Sequence, residues 1–173
     1  MTDRPVPAPA GLAPVLALYC PDIAQNTGTC LRTGACLGVP VHLIEPAGFP
    51  VGSAAFRRAG MDYLDVVDFV RHPSFAAFDA WRQAQGRRLV LFTTKGATPY
   101  HRFAFQPGDV LLFGRESAGA PPEVHDAADA RVVIPLRPGL RSLNVAVSAG
   151  IAVAEALRQT GALPEVPSPP EAD

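Results

Sequence analysis

Short, mainly apolar runs alternate with longer amphipathic stretches along this chain, and that rhythm constrains the fold more than any other feature. Val15–Tyr19, Val41–Ile44, Leu89–Thr93 and Val110–Phe113 are runs of four or five residues with almost no polar alternation. Runs of that kind are strands buried on both faces. Leu64–Val70 and Arg131–Ile134 are expected as further strands. The stretches between them predict helices over Asn26–Gly38, Ser53–Ala59 (with Ser53 as its cap), Pro73–Gln85 and Ser142–Gln159. Phe75, Phe78 and Trp81 fall at helical spacing in the third of these, and Gly86 ends it. Strands alternating with helices predict an α/β fold: a mainly parallel sheet with helices on both faces.

The last helix is apolar around most of its circumference. Leu143, Val147, Ile151, Ala154 and Leu157 form the expected inward stripe, with Val145 and Val153 off it. Such a helix is covered on two sides, by a core and by a second subunit or further core. The first helix is expected to turn Leu31, Ala35 and Leu37 inward, and to be capped by Asn26 and Thr27.

At 173 residues the chain has room for one domain, placed at residues 15–160. A Pro/Ala-rich extension covers 1–14, and an acidic, Pro-rich tail over 161–173 is expected to be disordered. With 48% hydrophobic and 18% charged residues, the domain itself is not a disordered segment. No apolar run approaches a bilayer-spanning length, and residues 1–14 lack the apolar core of a signal peptide, so a cytosolic, membrane-free location is expected. Cys20, Cys30 and Cys36 make an odd count without a CxxC pair, so no disulfide framework or structural metal is expected. Cys30 and Cys36 are expected to be small buried hydrophobes of the first helix. The formal charge of −1 becomes +2 once the tail acids Glu165, Glu171 and Asp173 are left out. All basic residues but Lys95 are arginine, which suits bidentate phosphate contacts and also fits an Arg-biased genome.

Three segments carry chemistry, each where a strand gives way to a loop or helix. Ligands of open parallel sheets bind at such carboxyl ends. The first is Pro21-Asp22-Ile23-Ala24-Gln25-Asn26-Thr27-Gly28, followed by Arg32. The second is Leu112-Phe113-Gly114-Arg115-Glu116-Ser117-Ala118-Gly119-Ala120-Pro121, where Gly114 and Gly119 permit close backbone approach and Glu116 needs a partner to offset its desolvation. It is not a P-loop, since no Lys-Ser/Thr follows the second glycine. The third runs from Ile134-Pro135 to Arg141-Ser142-Leu143-Asn144, setting an arginine and two hydrogen-bonding side chains at a helix start. Taken singly, each segment is equally well read as a capped helix or a tight turn.

Taken together and in this order, the three segments resemble the motifs of the SpoU/TrmH-type SPOUT RNA 2′-O-methyltransferases over about residues 15–160. Ile44-Glu45-Pro46, Arg57-Arg58-Ala59-Gly60, Asp62-Tyr63 and Thr93-Thr94-Lys95-Gly96 are similar to the subgroup that methylates the wobble nucleotide, cytidine or a modified uridine at position 34, of certain leucine tRNAs. The resemblance implies a deep C-terminal trefoil knot, a homodimer, and S-adenosylmethionine (AdoMet) as methyl donor with no metal. It implies cofactor binding by Phe92, Gly114, Ile134 and Ser142. It makes Arg32 the residue most tied to catalysis, with Asn26, Glu116, Ser142 and Asn144 around it. The implied partner is tRNA, through a leucine tRNA anticodon loop. Arg57, Arg58, Arg115, Arg137 and Arg141 are the candidate phosphate contacts.

Other readings remain at this level: action on another tRNA position or on ribosomal RNA, a catalytically silent RNA-binding module, and a nucleotide-dependent oxidoreductase. The last is disfavoured because no G-x-G-x-x-G joins the first strand to the first helix.

Overall fold

The computed structural model describes residues 12–96 and 98–166. The expected extension and tail therefore lie largely outside the described residues. Seven strands form one sheet: β1 (Val15–Tyr19), β2 (Val41–Ile44), β3 (Phe69–His72), β4 (Leu89–Phe92), β5 (Thr98–Pro99), β6 (Val110–Phe113) and β7 (Ala130–Val133). Every pairing is parallel, in the order β3-β2-β1-β6-β4-β7-β5. Five helices accompany them: α1 (Ala24–Leu37), α2 (Ala54–Gly60), α3 (Phe75–Ala84), α4 (Pro122–Ala127) and α5 (Val145–Thr160).

The strand period of two divides the core into two layers. Leu16, Leu18, Val90, Phe92, Leu111 and Phe113 face the side covered by α1, α2 and α5. Val15, Ala17, Leu89, Leu91, Val110 and Leu112 face α3 and α4, meeting Phe78 and Val124. The predicted α/β layering is thus present.

The helix boundaries follow local chemistry. Ser53 Oγ accepts from Phe56 N at 3.2 Å, so it caps as the sequence suggests, and Ser74 Oγ caps α3 by accepting from Ala77 N at 3.1 Å. Gly161 closes α5 with φ 68°, a left-handed residue at the usual helix stop. α1 instead begins at Ala24 behind Ile23, with no side-chain cap; Asn26 lies inside the first turn with its amide turned elsewhere. α5 begins at Val145, three residues later than expected.

Three further expectations are corrected. Leu64–Val70 is not one strand: Met61–Asp65 is a 3₁₀ turn and the strand starts at Phe69. Leu64 and Val67, three residues apart, both reach the core, and that spacing suits a helical turn rather than a strand. The buried stripe of α5 is Ala146, Ala149, Ala152, Val153, Ala156 and Leu157. Small alanines let it lie close on α1 and β6, so Val147 (53% exposed) and Ala154 are left facing out, while Leu143 precedes the helix. Cys36 is exposed, while Cys20 and Cys30 are buried. The two-residue β5 and the six-residue α4 are too short to leave a period in the sequence.

Behind the sheet, His42 Nδ1 and His72 Nε2 meet at 2.8 Å in a buried nest with Trp81. Burial first, then the neighbouring His72 and Arg87, pushes His42 down to about 3, and burial pushes His72 down as well. Both rings fold in their neutral forms. A depressed imidazole stabilises fully above its unfolded value near 6.5 and loses that contribution as pH falls toward the folded value. Acidification from pH 7 to pH 5 is therefore expected to cost about 2 kcal/mol at His42 alone. Urea melts across that range should show the slope in wild type and a flatter one in His42→Gln. Equal slopes would sink the assignment.

Candidate active site

The β1–α1 turn, the ends of β4, β6 and β7, and the 134–144 segment before α5 enclose one cavity of about 550 Å³. It opens at the carboxyl edge of the sheet, where the strand order reverses direction. Its inner wall holds Phe92 and Phe113, stacked with centroids 4.9 Å apart, and Ile134, Leu143 and Val145. Lys95, Arg115, His125 and Arg141 supply its basic and imidazole groups.

Each wall is fixed by backbone hydrogen bonds. Thr93 N donates to Val132 O at 2.9 Å and Gly96 N to Thr93 O at 3.0 Å. A Cβ on Gly96 would meet Val132 C at 2.6 Å, so the turn carrying Lys95 is pressed on β7. Opposite, Arg115 and Gly119 exchange two backbone bonds of 3.0 and 2.8 Å, folding residues 115–119 into a tight loop. Gly114 sits inside that closure: a Cβ there would lie 2.4 Å from Gly119 C and 2.5 Å from Ala120 N. Its glycine is required first by the loop's own return, before any ligand is considered.

A polar chain with one possible direction crosses the cavity. At the start of α5, Ala146 N and Val147 N donate to Asn144 Oδ1 at 2.8 and 3.3 Å. Backbone N–H groups cannot reverse, so the Asn144 amide is oriented by the helix. Its Nδ2 donates to Asn26 Oδ1 at 2.9 Å, and Asn26 Nδ2 donates in turn to Glu116 Oε1 at 3.1 Å. Asp22 N donates to Glu116 Oε2 at 2.7 Å. Glu116 thus accepts on both oxygens, the role of an ionised carboxylate. The acid that ends β6 ties the β1–α1 turn to α5, and its lone pairs are engaged before any substrate arrives.

Seven of the eight residues expected at the site line the cavity: Asn26, Phe92, Gly114, Glu116, Ile134, Ser142 and Asn144. Arg32 does not. It is exposed on α1 with its guanidinium 5.1 Å from the centroid of the Tyr63 ring. Arg115, one of the candidate phosphate contacts, has its guanidinium paired with Asp22 at 2.5 Å. Sequence reasoning gave no role to Asp22 or Ser117, although both stand within its motifs. The available signal was an acid directly after the first strand.

The match to known proteins follows this geometry. Residues 13–154 match the model of the SpoU rRNA methylase family. The chain belongs to the SpoU methylase family. A tRNA (cytidine(34)-2′-O)-methyltransferase of Beijerinckia indica is 63% identical over 158 residues, covering 91% of this chain and 99% of that protein. The protein of the same description from Escherichia coli is 38% identical over 148 residues, covering 84% and 93%. A structure solved for the 2-OH methylation of C/U34 on tRNA superposes with TM-score 0.80 at 43% identity, over 87% of this chain and 97% of that one. The AdoMet complex of the SpoU methyltransferase AviRb from Streptomyces viridochromogenes gives TM-score 0.80 at 25% identity, over 90% and 60%.

Glu116→Gln tests the polar chain. A glutamine amide group must face either Asn26 Nδ2 or Asp22 N, donor against donor, and the helix start prevents Asn144 and Asn26 from turning over to relieve it. We expect a stability loss of about 1–3 kcal/mol by urea melting, the cost of a partly buried donor left unpaired. A variant as stable as wild type would mean the chain is not polarised from α5.

Proposed function

We propose that this protein transfers a methyl group from AdoMet to the 2′-hydroxyl of nucleotide 34, cytidine or a modified uridine, in leucine tRNA. One observation carries the reading: the 63% identity to a tRNA (cytidine(34)-2′-O)-methyltransferase extends over 91% of the chain. Relatives at 25–28% that include ribosomal RNA methyltransferases have diverged much further. Family membership removes the oxidoreductase reading. The wall of the cavity fits the donor: its volume suits a small-molecule ligand, and its apolar rings and backbone edges suit an adenosine. Phe92, Gly114, Ile134 and Ser142 are the residues that would hold it. When bound, AdoMet supplies a methyl carbon made electrophilic by the adjacent sulfonium.

The chain's own task is to align the ribose hydroxyl with that carbon and to accommodate the proton the hydroxyl loses. A guanidinium seldom gives up a proton, so Arg32 holds a phosphate and stabilises the developing alkoxide, and the proton leaves to phosphate or water. Asn26, Glu116 and Asn144 keep the cleft in shape, with Ser142 on its rim. Arg57, Arg58, Arg137 and Arg141, which carry no carboxylate partner among the described residues, take the RNA backbone.

Two of these proteins form the working unit, packed through the outward face of α5 at Val147 and Ala154. Arg32, outside its own chain's cavity, is then available to the ribose at the partner protomer's cavity. The segment joining β7 to α5 is threaded as a deep trefoil knot. Its support is that β7 lies beyond β4 while α5 packs back on β6 and α1. The protein works in the cytoplasm; no helix of the described residues is long and apolar enough to cross a membrane.

Labelled-methyl transfer from AdoMet to tRNA of a methylation-deficient strain, followed by nuclease mapping, tests the reading. Wild type should label nucleotide 34. Arg32→Ala should fall by about 10²-fold or more, the order expected when a group that stabilises the transition state is lost. Label confined to another nucleotide or to ribosomal RNA would contradict the substrate. Near-normal turnover of Arg32→Lys with a displaced pH profile would contradict the role given to Arg32.

A further inference from the structure

Asp22 is absent from the cavity lining yet is the most heavily bonded side chain beside it. Its Oδ1 accepts from Arg115 Nε at 3.2 Å and from the Arg115 terminal nitrogen at 2.5 Å. Its Oδ2 accepts from Ser117 N at 3.1 Å and Ser117 Oγ at 2.6 Å. Its own N–H donates to Glu116. One residue of the β1–α1 turn therefore grips three consecutive residues of the loop that forms a cavity wall. Beyond Asp22, the loop is closed by the Arg115–Gly119 backbone pair and by the bond from Asn26 to Glu116.

The grip is anchored from behind. Gly48 N donates to Pro21 O at 2.8 Å, and a Cβ on Gly48 would lie 3.0 Å from Asp22 Cα. The turn is backed by the loop after β2 and has little room to retreat. The Arg115 guanidinium, then Ser117, hold the Asp22 carboxyl down at about 2, so the clasp stays charged throughout the working pH range.

We propose that Asp22 is a positioning residue for AdoMet: it holds residues 114–119 as a preformed wall of the cleft, and its loss weakens cofactor binding rather than slowing transfer. This rests on reading the cleft as the AdoMet site. A loop ordered before binding spares the ligand the cost of ordering it. The chain's other acids near the cavity do not substitute, since Glu116 is already committed to Asn26 and Asp22.

Asp22→Asn keeps the size of the side chain but turns one acceptor into a donor facing Arg115 or Ser117. Titration calorimetry with S-adenosylhomocysteine and steady-state kinetics on tRNA read the effect. For Asp22→Asn, Kd and the KM for AdoMet should rise about tenfold with kcat within about twofold, the pattern of lost ground-state binding. Ser117→Ala removes one exposed hydroxyl without threatening the fold and should raise Kd about threefold; the double variant should fall short of the product, since both act through one clasp. Affinities within twofold of wild type in both variants, or a fall in kcat at unchanged KM, would overturn the proposal. Wild type failing to bind S-adenosylhomocysteine would instead overturn the reading of the cleft.

Discussion

The first two N–H groups of α5 that meet the Asn144 side chain fix the polarity of the whole site. They cannot turn, so they decide which way Asn144 points, then Asn26, and finally which groups Glu116 must receive. Three regions far apart in sequence are locked by this directed series: the β1–α1 turn with the first turn of α1, the loop after β6, and the start of α5. Neutral amides can be oriented either way in isolation; anchored to a helix start, they have one arrangement. The site is therefore set by the fold before a ligand enters, the condition under which electrostatic stabilisation costs no reorganisation.

That arrangement depends on how the sheet brings the segments together. Placing β6 between β1 and β4 sets the end of the Glu116 strand beside the end of the strand that leads to Asn26. The alanines of α5 allow it to settle on α1 and β6, and its cap then falls within reach of Asn26. The opposite face of the sheet carries none of this chemistry. Its buried His42–His72 pair and Trp81 fill space with neutral rings and make that layer sensitive to acid.

Much of this was legible in the sequence because burial leaves a pattern. Continuous apolar runs gave β1, β2, β4 and β6 close to their observed limits, and the residues at strand ends converge on one cavity. Leu64–Val70 misled because apolar residues reach the core equally well from a 3₁₀ turn. The α5 stripe misled because alanine ranks low in a hydrophobic pattern, yet its small side chain permits close helix packing. Asp22 leaves no such pattern: its bonds are to residues more than ninety positions away, which no local period reveals. Arg32 was read from the family resemblance, and the fold sets it beside Tyr63, outside its own chain's cavity.

If the preformed cleft modifies one ribose, nucleoside-resolved mass spectrometry of leucine tRNA will show it. The tRNA would come from cells lacking their own nucleotide-34 ribose methyltransferase, with and without this protein supplied. A 2′-O-methyl group should appear at nucleotide 34 with the protein and at no other position. A leucine tRNA unmodified at nucleotide 34, with the new methyl group on another RNA, would contradict it.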